Sequence, residues 1–264
     1  MFSLSWRGEL NKYLAGAYKN WIISRRNPFT LFEIFFWPLI SLLSIGLMAR
    51  FLRLGDETVA FLLVGAIALS VLQVAQIDVA YVLLFDMWSK SIKNTFIAPV
   101  RSYHLIFGSL IFGVGRGIVV FTILATLSYF FFGFNFLEGG LLPVMIFLAG
   151  VFAVAATIGI TVCISILTFG QKADVAAWSL SVIIMLISGI YYPIEVLPAS
   201  LEALARLVPL TYFLEYYRSV FIPVQHNLII GIALAAFYMI LGLVLFNGSI
   251  EKARMTGMML RLSE

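Results

Sequence analysis

The sequence predicts an all-α polytopic membrane protein, and three observations carry that prediction. Hydrophobic residues make up 62% of the 264-residue chain and charged residues 11%, a balance that no soluble domain of this size sustains. The apolar residues fall in long continuous runs, at a mean hydropathy of +1.04, and not in the ten-residue alternating segments of an outer-membrane barrel. Prolines cut one apolar stretch, 188–222, into pieces too short to cross a bilayer.

The chain opens with a predicted amphipathic helix over Ser3–Trp21, within an interfacial segment 1–29. At helical spacing Trp6, Leu10, Tyr13, Leu14, Ala17 and Trp21 share one face, with Arg7, Glu9, Asn11, Lys12 and Lys19 around the rest. A basic face opposite tryptophans suits a helix lying in the headgroup region. The first thirty residues lack an apolar core with a small-residue cleavage site, so no cleaved leader is expected. Arg25-Arg26 then anchors the entry to the first span.

Six spans are expected: Thr30–Ala49, Thr58–Phe85, Tyr103–Phe132, Leu141–Phe169, Val175–Tyr192 and Asn227–Phe246. With the N-terminus inside, twelve lysines and arginines fall on inner segments and four on outer ones. That asymmetry predicts cytoplasmic termini and an even number of crossings. The net charge of +4 follows from this distribution, so it points to no nucleic-acid partner. The one cysteine, Cys163, sits mid-span and reads as packing.

The inner loop after the second span, 86–102, predicts a short helix. Asp86 would cap it, Trp88, Ile92, Thr95 and Phe96 would share a face, Lys90, Lys93 and Asn94 would oppose them, and Pro99 would end it. It either docks on a partner or lies in the interface.

The stretch SGIYYPIEVLPASLEALARLVPLTYFLEYYRSVFI (188–222) contains Pro193, Pro198 and Pro209, with Pro223 beyond. Its pieces, Pro198–Val208 and Tyr212–Phe221, would each reach about 15 Å, half of a ~30 Å hydrocarbon core. Glu202 precedes Arg206 by four residues, the favourable order for a helical ion pair. Thr211 would cap the second piece, and Glu215 and Arg218 share a face. The segment 193–223 therefore reads as a re-entrant hairpin on the outer side, or as two helices lying on the outer surface.

Few groups could carry chemistry. No GxxxxGK[ST] loop, paired carboxylate motif or Gly-x-Ser-x-Gly occurs, so no catalytic residue is assigned and ATP hydrolysis is not expected here. His104 and His226 lie at opposite span ends, so no metal site is expected. Ionisable residues inside spans must face protein or water: Glu33 lies one turn in, and Asp78 and Arg116 are expected to pair. Gln73, Gln76, Ser181 and Ser188 either join helices or line a polar path. Tyr191, Tyr192, Tyr212, Tyr216 and Tyr217 cluster near the expected outer face, as either an interface belt or a lipophilic substrate exit would.

This layout resembles the permease of type-2 ATP-binding-cassette (ABC) exporters over the whole chain. The most specific part is Gly189–Arg218, where Pro193, Leu197-Pro198, Pro209-Leu210-Thr211 and Glu215…Arg218 match the family pattern, as does Pro99 after the inner helix. The resemblance implies that two permease copies pair, as a homodimer or with a paralogue, and that each binds a separate ATPase subunit. Asp86, Trp88, Lys90, Ile92, Lys93 and Phe96 would then form the ATPase-coupling helix. The pathway and outer gate would use Gln73, Gln76, Ser181, Ser188, Tyr191, Tyr192, Pro193, Pro209, Glu215 and Arg218. ATP and magnesium would be cofactors of the partner, not of this chain. The cargo implied is an amphiphile: a drug, a lipid or a lipo-oligosaccharide. An ion-coupled carrier remains an alternative, though it should place several acids at mid-membrane. An integral membrane enzyme remains another, though no catalytic cluster is visible.

Overall fold

The computed structural model describes residues 6–97 and 102–256, with side chains throughout except at 6–9, 28, 30, 31, 33, 93, 96, 102 and 171. Among the described residues the fold is helical and contains no strand. In order the helices are α1 (Trp6–Arg26), α2 (Pro28–Phe51), α3 (Asp56–Trp88), α4 (Ile92–Ile97), α5 (Ser102–Phe132), α6 (Leu141–Phe169), α7 (Ala176–Ile187), α8 (Ala199–Ala205), α9 (Pro209–Arg218) and α10 (Leu228–Met255). Short 3-10 turns occupy Gly170–Ala173 and Ile194–Val196.

Local chemistry sets several of these ends. Pro28 opens α2, where its missing N–H costs nothing, and the Asn27 side chain accepts from the Phe29 N–H at 3.2 Å. Asn227 caps α10 in the same way through Ile230 N–H. Helix α7 stops at Ile187 because Gly189 takes a left-handed backbone (φ +70°), the conformation that ends helices at lowest cost in glycine.

Helix α3 is the central element. It packs against α5 and α6 along much of its length and against α2 and α7, and it is buried on nearly every face, as a helix apolar all round should be. Two apolar cores flank it. One joins the first half of α3 to α2, α6 and α9 through Leu63, Ile67, Phe147, Leu214 and Tyr217. The other joins its second half to α5, α6 and α10 through Leu83, Met87, Ile106, Cys163 and Phe246.

Among the described residues five helices (α2, α3, α5, α6 and α10) are long and apolar enough to cross a membrane. The expected fifth span, Val175–Tyr192, is instead the twelve-residue α7, about 18 Å long at 1.5 Å per residue. The Ser188-Gly189 break shortens it where the apolar run alone gives no warning. The expected sixth span runs on from Phe246 to Met255 because its last two turns remain helical despite Glu251, Lys252 and Arg254.

Helix α1 packs in a way its apolar stripe does not show. Its buried side is small and polar, with Gly16, Asn20 and Ser24, while Leu14, Tyr18 and Trp21 stay exposed. Gly16 meets Gly108 of α5, and Asn20 Nδ2 donates to the Asp78 carbonyl of α3 at 3.1 Å. The exposed apolar stripe is thus available to lipid while the polar side binds the bundle.

Candidate functional site

Two polar clusters sit toward the two ends of α3, at Phe61 and Asp86, about 38 Å apart along the helix at ~1.5 Å per residue. At the α1 end the centre is Asp86. It does not cap the following helix, as expected, because α3 continues past it to Trp88 and α4 begins only at Ile92. Its buried carboxylate instead accepts from Lys19 of α1, from Ser91 at 3.2 Å and from Thr95 of α4. Lys19 also reaches the Val82 carbonyl at 3.3 Å. One carboxylate therefore ties α1, α3 and α4 together, with charge-assisted bonds of the stronger kind.

The connection between α3 and α4 is tight. Lys90 adopts φ +56°, and Ser91 N–H closes back on the Asp86 carbonyl at 2.8 Å. Ile92 is fully buried and so anchors α4 to the bundle. Trp88 belongs to α3, not to the face of α4, and packs edge-on against Tyr81 and Phe85 with half its surface open. The side chains of Lys93 and Phe96, and residues 98–101 with Pro99, lie outside the described residues.

At the other end the centre is Arg218, wholly buried at the end of α9. Its guanidinium donates to the carbonyls of Gly189 (2.7 Å), Ile190 (2.7 Å) and Phe61 (3.0 Å) and lies 3.4 Å from the Phe61 ring centroid. Gly189 and Ile190 follow the broken end of α7, where carbonyls lack helical partners. A cation at such an end is favoured by the helix dipole as well. Burial pulls the Arg218 guanidinium down to about 9, with Glu215 opposing that shift. It remains charged at neutral pH. Gly65 lets the clamp close, because a side chain there would run into the Ile190 carbonyl and the guanidinium.

Arg218 therefore makes no ion pair with Glu215, its partner by helical spacing. Glu215 and Glu195 instead border a cavity of about 340 Å³ with Pro193, Gly189, Phe61 and Arg218. Burial, and next the charge of Glu195, push the Glu215 carboxyl up to about 7. The helical pair α8–α9 around this cavity differs in detail from expectation. Its pieces are Ala199–Ala205, shorter than the expected Pro198–Val208, and Pro209–Arg218, as long as the expected Tyr212–Phe221 but three residues earlier. Pro209 occupies the first turn of α9 behind Val208, so Thr211 does not cap it. The Thr211 hydroxyl donates to the Ala205 carbonyl at 2.9 Å and that of Tyr212 to Arg206 at 2.8 Å, which ties the two helices. Glu202 and Arg206 form their ion pair at 2.6 Å. Helix α9 is roofed by α6, α10 and α3. Tyr217, missed as more than an interface aromatic, stacks between Phe136 and Phe147 and donates to the Phe136 carbonyl at 2.7 Å.

The other candidate residues divide between helix joining and the cavity. Gln76 Nε2 donates to the Ala177 carbonyl at 2.5 Å, joining α3 to the start of α7. Gln73 is half-buried. The hydroxyls of Ser181 and Ser188 donate within their own segment, to Trp178 and Ile184, and Ser188 also borders the cavity. Tyr191 bonds Ser41 of α2, and Tyr192 donates to the Leu186 carbonyl. Arg116 of α5 donates to the Asp78 carboxylate of α3. Among the described residues no three metal-ligating side chains converge.

The sequence pattern of the ABC-2 type transporter family matches residues 12–222. An inner membrane transport permease, YadH, of Escherichia coli K12 is 24% identical over 227 residues, covering 83% of this chain and 82% of that protein. An uncharacterized protein of Archaeoglobus fulgidus is 43% identical over 51 residues, 19% of this chain and 80% of that protein. The family pattern spans both polar clusters and every helix from α1 to α9, and the chain belongs to the ABC-2 type transporter family as a multi-pass membrane permease subunit.

Proposed function

We propose that the chain is the transmembrane half of an exporter that moves an amphiphile outward, driven by ATP hydrolysis in a separate subunit. Permeases of this family work with ATPase subunits. The single observation that carries the reading is the continuity of α3, one unbroken helix with Asp86 holding α4 at one end and Arg218 holding the α8–α9 pair at the other. A movement imposed on α4 has a stiff path to the far face.

In this reading segment 86–102, with α4, is the contact seated in the ATPase, and α1 within 1–29 adds a second contact. The twelve-to-four distribution of basic residues favours an arrangement with α4 and both termini in the cytoplasm of a prokaryote. Helix α7 with the linker to Tyr192 makes the fifth crossing in chain order, bringing the number to six. The segment 193–223 is then the outer gate, entering the membrane under the cover of α6 and α10 and opening beside Glu195 and Glu215. Two copies pair, with two ATPases below them, and ATP with magnesium acts only in those partners. The cargo in this reading is drug-like, lipid or lipo-oligosaccharide.

The test is to purify the permease with its partner ATPase and measure substrate-stimulated hydrolysis across a panel of amphiphiles. Trp88→Ala and Lys90→Glu should each lower stimulated hydrolysis several-fold while the thermal unfolding midpoint stays put. Unchanged stimulation in both variants would remove α4 and its neighbours from the coupling contact. Uphill transport by the permease alone would remove the ATPase from the mechanism.

A further inference from the structure

Helices α3 and α5 are longer than a bilayer needs, and the excess locates one buried ion pair. Counting 20 residues, about one hydrocarbon thickness, from Phe132 back along α5 ends at Gly113; the same count forward from Asp56 along α3 ends at Ala75. Asp78 and Arg116 therefore lie at the edge of the apolar layer on the α1 side. Helix α1 runs beside this stretch of α5, with Tyr13 on His104 and Trp21 on Phe112. It leaves a wedge-shaped recess of about 610 Å³ between α1, α2 and α5.

The walls of this recess are apolar: Leu14, Trp21, Phe35, Phe112 and Gly115. Among the described residues Arg116 is its one charged lining residue. One guanidinium nitrogen donates to Asp78 from α3; Nε and the second Asp78 oxygen are buried within the pair without a partner among the described residues, and the side chain keeps 15% of its surface open. The guanidinium also lies 5.4 Å from the Phe112 ring centroid. A partly open cation in apolar surroundings favours an occupant that brings an acceptor at one end and hydrocarbon at the other. Arg25 and Arg26, exposed in the last turn of α1 just beyond Trp21, add positive charge at the same edge. A recess with one cation on an apolar floor, at headgroup depth, suits a phosphate attached to an acyl chain.

We propose that the α1–α2–α5 recess is a resident site for an anionic glycerophospholipid. One acyl chain lies against Trp21, Phe35 and Phe112, and the phosphate accepts from the Arg116 donors that Asp78 leaves open. The lipid would fill the wedge between α1 and the bundle and hold α1 in place. This inference requires only that the chain is embedded in a membrane, not that it exports.

The test uses the full chain in mixed phosphatidylglycerol/phosphatidylcholine nanodiscs, released and weighed by native mass spectrometry. Gly115→Leu fills the recess without touching the ion pair, since a Cβ at Gly115 meets nothing within 4 Å. The double variant Asp78→Asn/Arg116→Gln removes the cation without stranding its partner. The wild-type chain should retain phosphatidylglycerol over phosphatidylcholine by about tenfold, and both variants should lose that preference while unfolding as cooperatively as wild type. Equal retention of the two lipids by the wild type overturns the proposal, as does an undiminished preference in Gly115→Leu. A Gly115→Cys chain that cross-links to a second copy and retains no lipid assigns the recess to a protein partner and also overturns it.

Discussion

Arg218 takes its three acceptors from residues 28, 29 and 157 positions away, so no local spacing rule could have found them. The visible signal, Glu215 three residues earlier, points to the wrong partner. The Glu202–Arg206 pair was legible because both members lie on one helix face, four residues apart. Removing the Arg218 guanidinium strands three buried carbonyls, each worth about 1–3 kcal/mol. Arg218→Gln should therefore cost about 3 kcal/mol or more, and Arg218→Lys should rescue little, because an ammonium cannot span the three-acceptor fork. Unfolding in detergent measures both, and a lysine variant as stable as wild type would contradict the clamp. Asp78 and Arg116 should show a coupling of about 1–3 kcal/mol in an Asp78→Asn/Arg116→Gln cycle; additivity would deny their interaction.

Glu215 supplies a pH dependence of definite sign. Its carboxyl holds a proton more tightly when folded, with the value raised from 4.5 to about 7. The folded state therefore binds more protons than the unfolded chain between those values, and stability falls as pH rises through that window. Glu215→Gln mimics the protonated form. The wild-type unfolding midpoint should drop relative to the variant from pH 4.5 to about 7, and parallel profiles would contradict the assignment.

Among the elements, the apolar runs of α2, α3, α5 and α6 declared themselves, because hydrocarbon-length helices leave no other signature. The ends were harder to read. Proline 193 drew attention as a breaker, but α7 stops earlier at Ser188-Gly189, where the decisive feature is a left-handed backbone that composition does not display. Gly189→Val should destabilise by about 1–2 kcal/mol from the backbone alone, with further loss from contact with Ile194. The measurement is again unfolding in detergent, and a neutral effect would show that the break lies elsewhere. At the α1 end, an acidic residue before a short helix reads as a cap, yet Asp86 gives its oxygens to three side chains on two helices and a turn. Asp86→Ala should free α4, raising amide hydrogen exchange over 92–97 while leaving α3 above Val82 protected.

At the level of the whole molecule, α3 has the α4 cluster at one end and the Arg218 clamp at the other, and α2, α5, α6 and α7 pack along it. The chain is a permease of the ABC-2 type family, and its two polar clusters are linked by its most buried long helix. The reading that follows is that ATP binding in a partner moves α4, and that α3 conveys the movement to the α8–α9 pair. Spin labels at Leu204→Cys on α8 and Leu142→Cys on α6, both exposed positions, report the motion of that pair against a fixed neighbour. In the reconstituted complex the distance between them should change on adding ATP in the wild type and stay constant in Asp86→Ala. A distance that changes equally in both, or in neither, would contradict the account.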